Sequence, residues 1–188
     1  MLKNTNETYG SVTKWLHWLI AILVIGMLIL GLVLTQVEKG VLRNELMWLH
    51  KSIGMTVLLI VVFRILWRFS NRQPTLPLTV PLWEQTASRF MHFLLYLVLF
   101  AMPISGWMMS SFGGHPVIFW GWFDAALPLG QYRPWAHQFS NAHFVIAWVM
   151  TGLIIVHTTA ALKHHFIDKD YVLRRMLPGF KPTHLFRE

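Results

Sequence analysis

Four separate stretches of this chain are each apolar over about twenty residues, the length a helix needs to cross a hydrocarbon core. They run from Trp15 to Leu34, Leu46 to Trp67, Phe90 to Met109 and Ala142 to Leu162. A backbone inside a bilayer must satisfy its own N–H and C=O groups, so each stretch is expected to span as a helix. Charged residues make up only 13% of the chain, about half the share of an average soluble domain. The first stretch begins near the amino terminus, but its apolar run is longer than the roughly 7–15 residues of a secretory leader and no A-x-A site follows it. It is read as a retained helix. Pro74, Pro77 and Pro81 force a stiff, exposed connection between the second and third spans, and Pro103 predicts a kink in the third. The Gly- and Pro-punctuated aromatic segment 110–132 reads as an interfacial loop, not a fifth span. No repeat or composition break divides the chain. The expected fold is all-α: one integral membrane four-helix bundle over residues 1–188.

Topology explains the charge. With four spans, twelve of the sixteen Lys and Arg residues fall on the side of the termini and only Lys39, Arg43, Lys51 and Arg133 on the other. Positive residues stay inside, so both termini of this multi-pass protein are assigned to the cytoplasm. This accounts for the net charge of +8 without a nucleic-acid partner; the expected surroundings are membrane lipid.

Histidine is the chemical signal. Ionisable side chains inside spans are costly and mark sites, and His17, His50, His92, His143 and His157 all lie within or at the ends of spans. His143 and His157 are fourteen residues apart on one helix, close to four full turns, which puts them on one face about 21 Å apart. His50 shares the outer level with His143, and His17 the inner level with His157. Two imidazole pairs at two depths, with no open coordination position, suit two low-spin haems engaged in electron transfer. The chain has no cysteine, so such haems are expected to be held non-covalently, with His17, His50, His143 and His157 as axial iron ligands. His92 competes as an inner ligand. Gly54, one turn from His50, leaves room for a porphyrin, and Arg64, four turns from His50, reaches the inner level where it can pair with a haem propionate.

These features resemble the prokaryotic cytochrome b561 family. The resemblance rests on Trp15-Leu16-His17-Trp18, on His50 with Gly54 and Arg64, and on His143 and His157 followed by Ala160-Ala161-Leu162-Lys163-His164-His165. It implies a single cytochrome b561-type transmembrane domain with two haems b stacked across the bilayer. It also implies electron exchange with quinone and, by analogy with one member, oxidation of superoxide at the periplasmic face. On that reading ubiquinone is the substrate at the cytoplasmic end, with His164 or His165 as its hydrogen-bond partner. Lys51 and Arg133 then attract superoxide beside the outer haem. The outer segments carry a net charge of only +1, so attraction depends on local focusing by these two cations.

Two other functions compete with a superoxide:quinone oxidoreductase. A haem-carrying anchor subunit would take electrons from a partner hydrogenase or dehydrogenase and pass them to quinone. A histidine-lined cation transporter would want carboxylates within its spans, and only Glu45 stands at an edge.

Overall fold

The computed structural model describes residues 1–75 and 80–179; Pro77, Lys181, His184 and Arg187 lie outside them. Four long helices carry the fold: α1 (Ser11–Gln36), α2 (Val41–Phe69), α3 (Leu82–Phe112) and α4 (Arg133–Phe166). Each is longer than its apolar stretch because polar and aromatic flanks continue the helix through the interface. α3 runs unbroken through Pro103. All four helices are long and apolar enough to cross a membrane. Their outward faces are apolar, with Ile22, Ile29, Leu59, Phe93, Phe144 and Ile155 exposed, as lipid rather than water requires.

Close packing follows the order of the chain: α1 lies along α2, α2 along α3 and α3 along α4. Backbone approach between α4 and either α1 or α2 is sparse by comparison. A seam therefore opens along the inner face of α4. A core of Ile20, Val24, Val57, Val61, Val98 and Met150 closes that seam only at mid-depth. Val61 is 0% exposed and Met150, the one buried residue of α4, is 3% exposed.

Residues seven apart put a layered register on the inward faces. α1 contributes His17, Val24 and Gly31; α2 contributes His50, Val57 and Arg64; α4 contributes His143, Met150 and His157. Seven residues are nearly two turns, so each set holds one face. The valines and Met150 make the middle layer, and the polar members fall above and below it.

Segment 110–132 is more ordered than a plain loop. It contains a hairpin of β1 (Ile118–Phe119) and β2 (Phe123–Asp124), antiparallel and closed by Trp120, Gly121 and Trp122. Trp120 and Gly121 have positive φ, 50° and 80°, and Trp122 N donates to the Phe119 carbonyl, the signature of a type I′ turn whose twist matches the flanking strands. Glycine accepts that conformation without strain; Trp120 is held in it by contacts to α2.

Candidate functional site

At the outer level the His50 and His143 rings face each other, with centres 6.2 Å apart and planes at 70°. His143 is oriented from α3: its Nδ1 lies 3.0 Å from the Met102 carbonyl oxygen and 3.0 Å from Ser105 Oγ. A ring N–H donated to a carbonyl fixes the tautomer and leaves Nε2 for a metal. Gly106 allows the ring to sit there, since a Cβ at that position would come within 3.0 Å of His143 Cε1. Gly31 lies against His50, where a Cβ would stand 3.6 Å from Cε1. His50 Nδ1 is buried without a hydrogen-bond partner. Gly54 faces Met27 of α1 at ordinary contact distance, placing it at the α1–α2 packing contact.

The inner level holds three imidazoles. His17 and His157 have ring centres 6.3 Å apart with planes at 79°, and His92 of α3 stands 5.6 Å from His157. His92 Nδ1 donates to the Ser88 carbonyl at 2.6 Å. Arg64 reaches this level as its spacing predicted: Nε donates to Tyr96 Oη at 3.2 Å, while one Nη is buried with no partner.

The outer hairpin is fastened to α2 beside His50. Ser52, 1% exposed, donates to the Ile118 carbonyl at 3.1 Å and accepts from Trp120 N at 3.2 Å. Trp120 Nε1 donates to Thr56 Oγ1 at 2.9 Å. Lys51 Nζ donates to the Pro116 carbonyl at 2.8 Å, so it is tied to the hairpin; Arg133 is exposed at the start of α4. Backbone N–H groups of Ala126 and Val117 donate to Asp124 and hold its carboxyl below the usual carboxylate range. Because Ser52 serves two backbone groups at once, Ser52→Ala is expected to cost about 1–3 kcal/mol through their lost partners. Thermal unfolding of the purified protein measures this, and an unchanged midpoint would show the hairpin to be held by other contacts.

At the end of the bundle that carries the start of α1 and the end of α4, the two candidate quinone histidines differ. His164 is committed to carboxylates: Nδ1 donates to Asp170 at 2.7 Å and lies 3.2 Å from Asp168, while Nε2 lies 3.7 Å from Glu84. Lys163 bridges Glu84 and Asp168 at 2.8 Å each, joining the start of α3 to the end of α4. These groups line a cavity of about 330 Å³. His165 Nδ1 is buried and unpartnered. The sequence reading did not find Ser105, Met102 and Gly106, which orient one imidazole; a serine, a glycine and a backbone carbonyl in an apolar run carry no periodic signal of their own.

A membrane-spanning helical bundle with facing imidazoles at two depths is the architecture of an intramembrane redox carrier. The chain belongs to the prokaryotic cytochrome b561 family, whose sequence model matches residues 8–179. It is 42% identical over 176 residues to cytochrome b561 homolog 2 of Escherichia coli, covering 93% of each chain. It is 29% identical to cytochrome b561 homolog 1 of the same organism over 132 residues, 70% of this chain and 74% of that one. A more distant relative, 27% identical over 92% of this chain and 97% of its own length, is a probable superoxide oxidase of Yersinia pestis. The protein is therefore a bacterial membrane electron-transfer protein of a b-type haem family.

The residues present fit such a group. A metal–imidazole bond is about 2.0 Å, so two imidazoles that share one metal would have ring centres about 6 Å apart; the observed 6.2 and 6.3 Å fit that. Both spacings fall between α4 and α1 or α2, which approach each other less closely than α4 approaches α3. The buried, unpartnered Arg64 Nη suits a carboxylate at the inner level.

Proposed function

We propose that the chain binds two haems b, one between His50 and His143 and one between His17 and His157, in the inner membrane, and that it oxidises superoxide outside and reduces ubiquinone at the cytoplasmic end. The observation that carries this reading is the pair of imidazole spacings at two depths across one seam. His17 is preferred to His92 because α3 packs closely on α4 and leaves no slot between them, and because the His92–His157 spacing of 5.6 Å is the shorter.

When bound, the haems supply one-electron transfer. The protein's own part is to hold the imidazoles, exclude water from the middle layer and admit substrates at opposite ends. Two superoxide anions each lose one electron and leave as dioxygen; one quinone takes both electrons and two cytoplasmic protons to become quinol. Lys51 and exposed Arg133 supply positive charge at the outer mouth. His165, with its unpartnered ring nitrogen, is the hydrogen-bond donor for a quinone oxygen, in preference to His164, which the carboxylates already hold. Arg64 binds an inner propionate. The distant likeness to a probable superoxide oxidase supports the choice of donor.

Rapid mixing of the purified protein with a superoxide source tests the reading. Haem reduction should be fast, should slow several-fold as the Debye length shrinks from about 30 Å to about 3 Å between 0.01 and 1 M salt, and should slow when Lys51 or Arg133 is neutralised. Added ubiquinone should then be converted to quinol. Negligible reduction by superoxide, with fast reduction only after addition of a dehydrogenase, would overturn the donor assignment in favour of an anchor subunit.

A further inference from the structure

Below the inner imidazoles, a cavity is lined by Tyr9, Arg64, Arg68, Gln73, His92 and Tyr96, among others. Its charge is one-sided. Arg64 and Arg68 stand four residues apart on one face of α2, an arrangement in which like charges repel. Their guanidinium carbons lie 5.9 and 5.7 Å from the Tyr96 ring centre, so the two cations flank one aromatic ring. A third, Arg175, is only 9% exposed and donates to the Thr75 carbonyl at 2.6 Å. Among the described residues every hydrogen bond these three guanidinium groups make goes to a neutral acceptor: Tyr96, Gln73 and the Thr75 backbone. One Nη of Arg64 has no acceptor at all. Arg64 is partly buried and Arg175 buried, where a cation is costly unless paired, while Arg68 is exposed at the edge of the cavity. The Tyr9 phenol opens into the same space, and its burial pushes its pKa up, so it remains an O–H donor near neutral pH.

From this we infer that the cavity is a dicarboxylate seat for the inner haem: Arg64 takes one propionate, and Arg68 with the Tyr9 hydroxyl takes the other. The inference rests on the two-haem reading above and adds Arg68 and Tyr9 as positioning residues that tune the inner haem's potential. Two carboxylates on one rigid ring answer two cations one helical turn apart, and the resulting fork contacts are charge-assisted. The cavity reaches Leu16, next to His17, and His92, which touches His157. It therefore lies beside the inner imidazole pair, between which the macrocycle would sit.

Potentiometric titration of the two-haem protein tests this without reference to turnover. A cation near the inner haem favours its reduced form, so Arg68→Gln should shift the inner haem's one-electron equilibrium about tenfold toward the oxidised form, about 59 mV. The outer haem is an internal control and should not move. Arg68→Lys keeps the charge and should recover most of the shift, a rescue that a purely structural role would not follow. Tyr9→Phe should shift the inner haem in the same direction by a smaller factor and move its propionate bending bands in the resonance Raman spectrum; it also covers the case in which Arg68→Gln does not fold. Unmoved inner midpoints and Raman bands in Arg68→Gln and Tyr9→Phe would overturn the seat. So would loss of a bound anionic phospholipid with the midpoints unchanged, which would assign the cavity to a lipid phosphate. A wild-type protein carrying a single haem would overturn the two-haem reading itself and the seat with it, before any substitution is compared.

Discussion

His157→Ala is expected to strip the inner haem from the protein and leave the outer haem low-spin and intact. His157 faces His17 across the seam at 6.3 Å between ring centres, and alanine removes one of the two axial nitrogens without touching the outer level, about 21 Å away. The middle layer of Val24, Val57, Val61 and Met150 lies between the two levels and insulates one from the other. Haem content should fall from two to one per chain. Superoxide should still reduce the remaining haem, while quinone reduction should fall to background because no carrier bridges the inner half of the membrane. The visible spectrum and a pyridine haemochrome count measure the first result, and ubiquinol formation the second. Two fully low-spin haems in His157→Ala would show that the assignment of the inner pair is wrong and would turn attention to His92.

Gly106→Leu is expected to do the complementary damage at the outer level. A Cβ at position 106 falls 3.0 Å from His143 Cε1 and 3.3 Å from Nδ1, closer than carbon atoms rest at their preferred separation of about 3.5–4.0 Å. The ring cannot simply slide away, because its Nδ1 is held at the Met102 carbonyl and at Ser105 Oγ. Leucine adds three more carbons in the same direction and should push the imidazole off its axis. The outer haem should be lost or become high-spin with the inner one retained, so superoxide-driven reduction should fall to background. Gly152→Leu in α4 is the control, since a Cβ there meets nothing within 4 Å. Equal loss of haem in both variants would mean that helix packing in general, and not the His143 contact, accounts for the effect.

The four spans were legible because a bilayer allows few alternatives: an apolar run of about twenty residues has to satisfy its backbone internally. Pro77 and the basic residues Lys181 and Arg187 entered that reading from the sequence alone. The helices nevertheless run past the apolar limits at both ends, since hydropathy marks where the lipid core stops and not where backbone hydrogen bonding does. Arg64 was placed at the inner level by counting turns from His50, and the structure brings it there. The hairpin at residues 118–124 was hidden. Its type I′ turn has tryptophan at a position usually taken by Asn or Gly, and contacts to Ser52 and Thr56 on α2 hold it there.

What the sequence by itself determined is the number of spans and the two depths at which histidines occur. These follow from hydropathy and periodicity along single helices, both of which are local or one-dimensional. Only the tertiary structure decided which faces meet. It set α4 against α3 and left a seam toward α1 and α2, put Gly31 and Gly106 against the outer imidazoles, and committed His164 to carboxylates while leaving His165 unpartnered. Such choices depend on how side chains of distant segments interlock, and no spacing within one helix records the neighbour it will pack against.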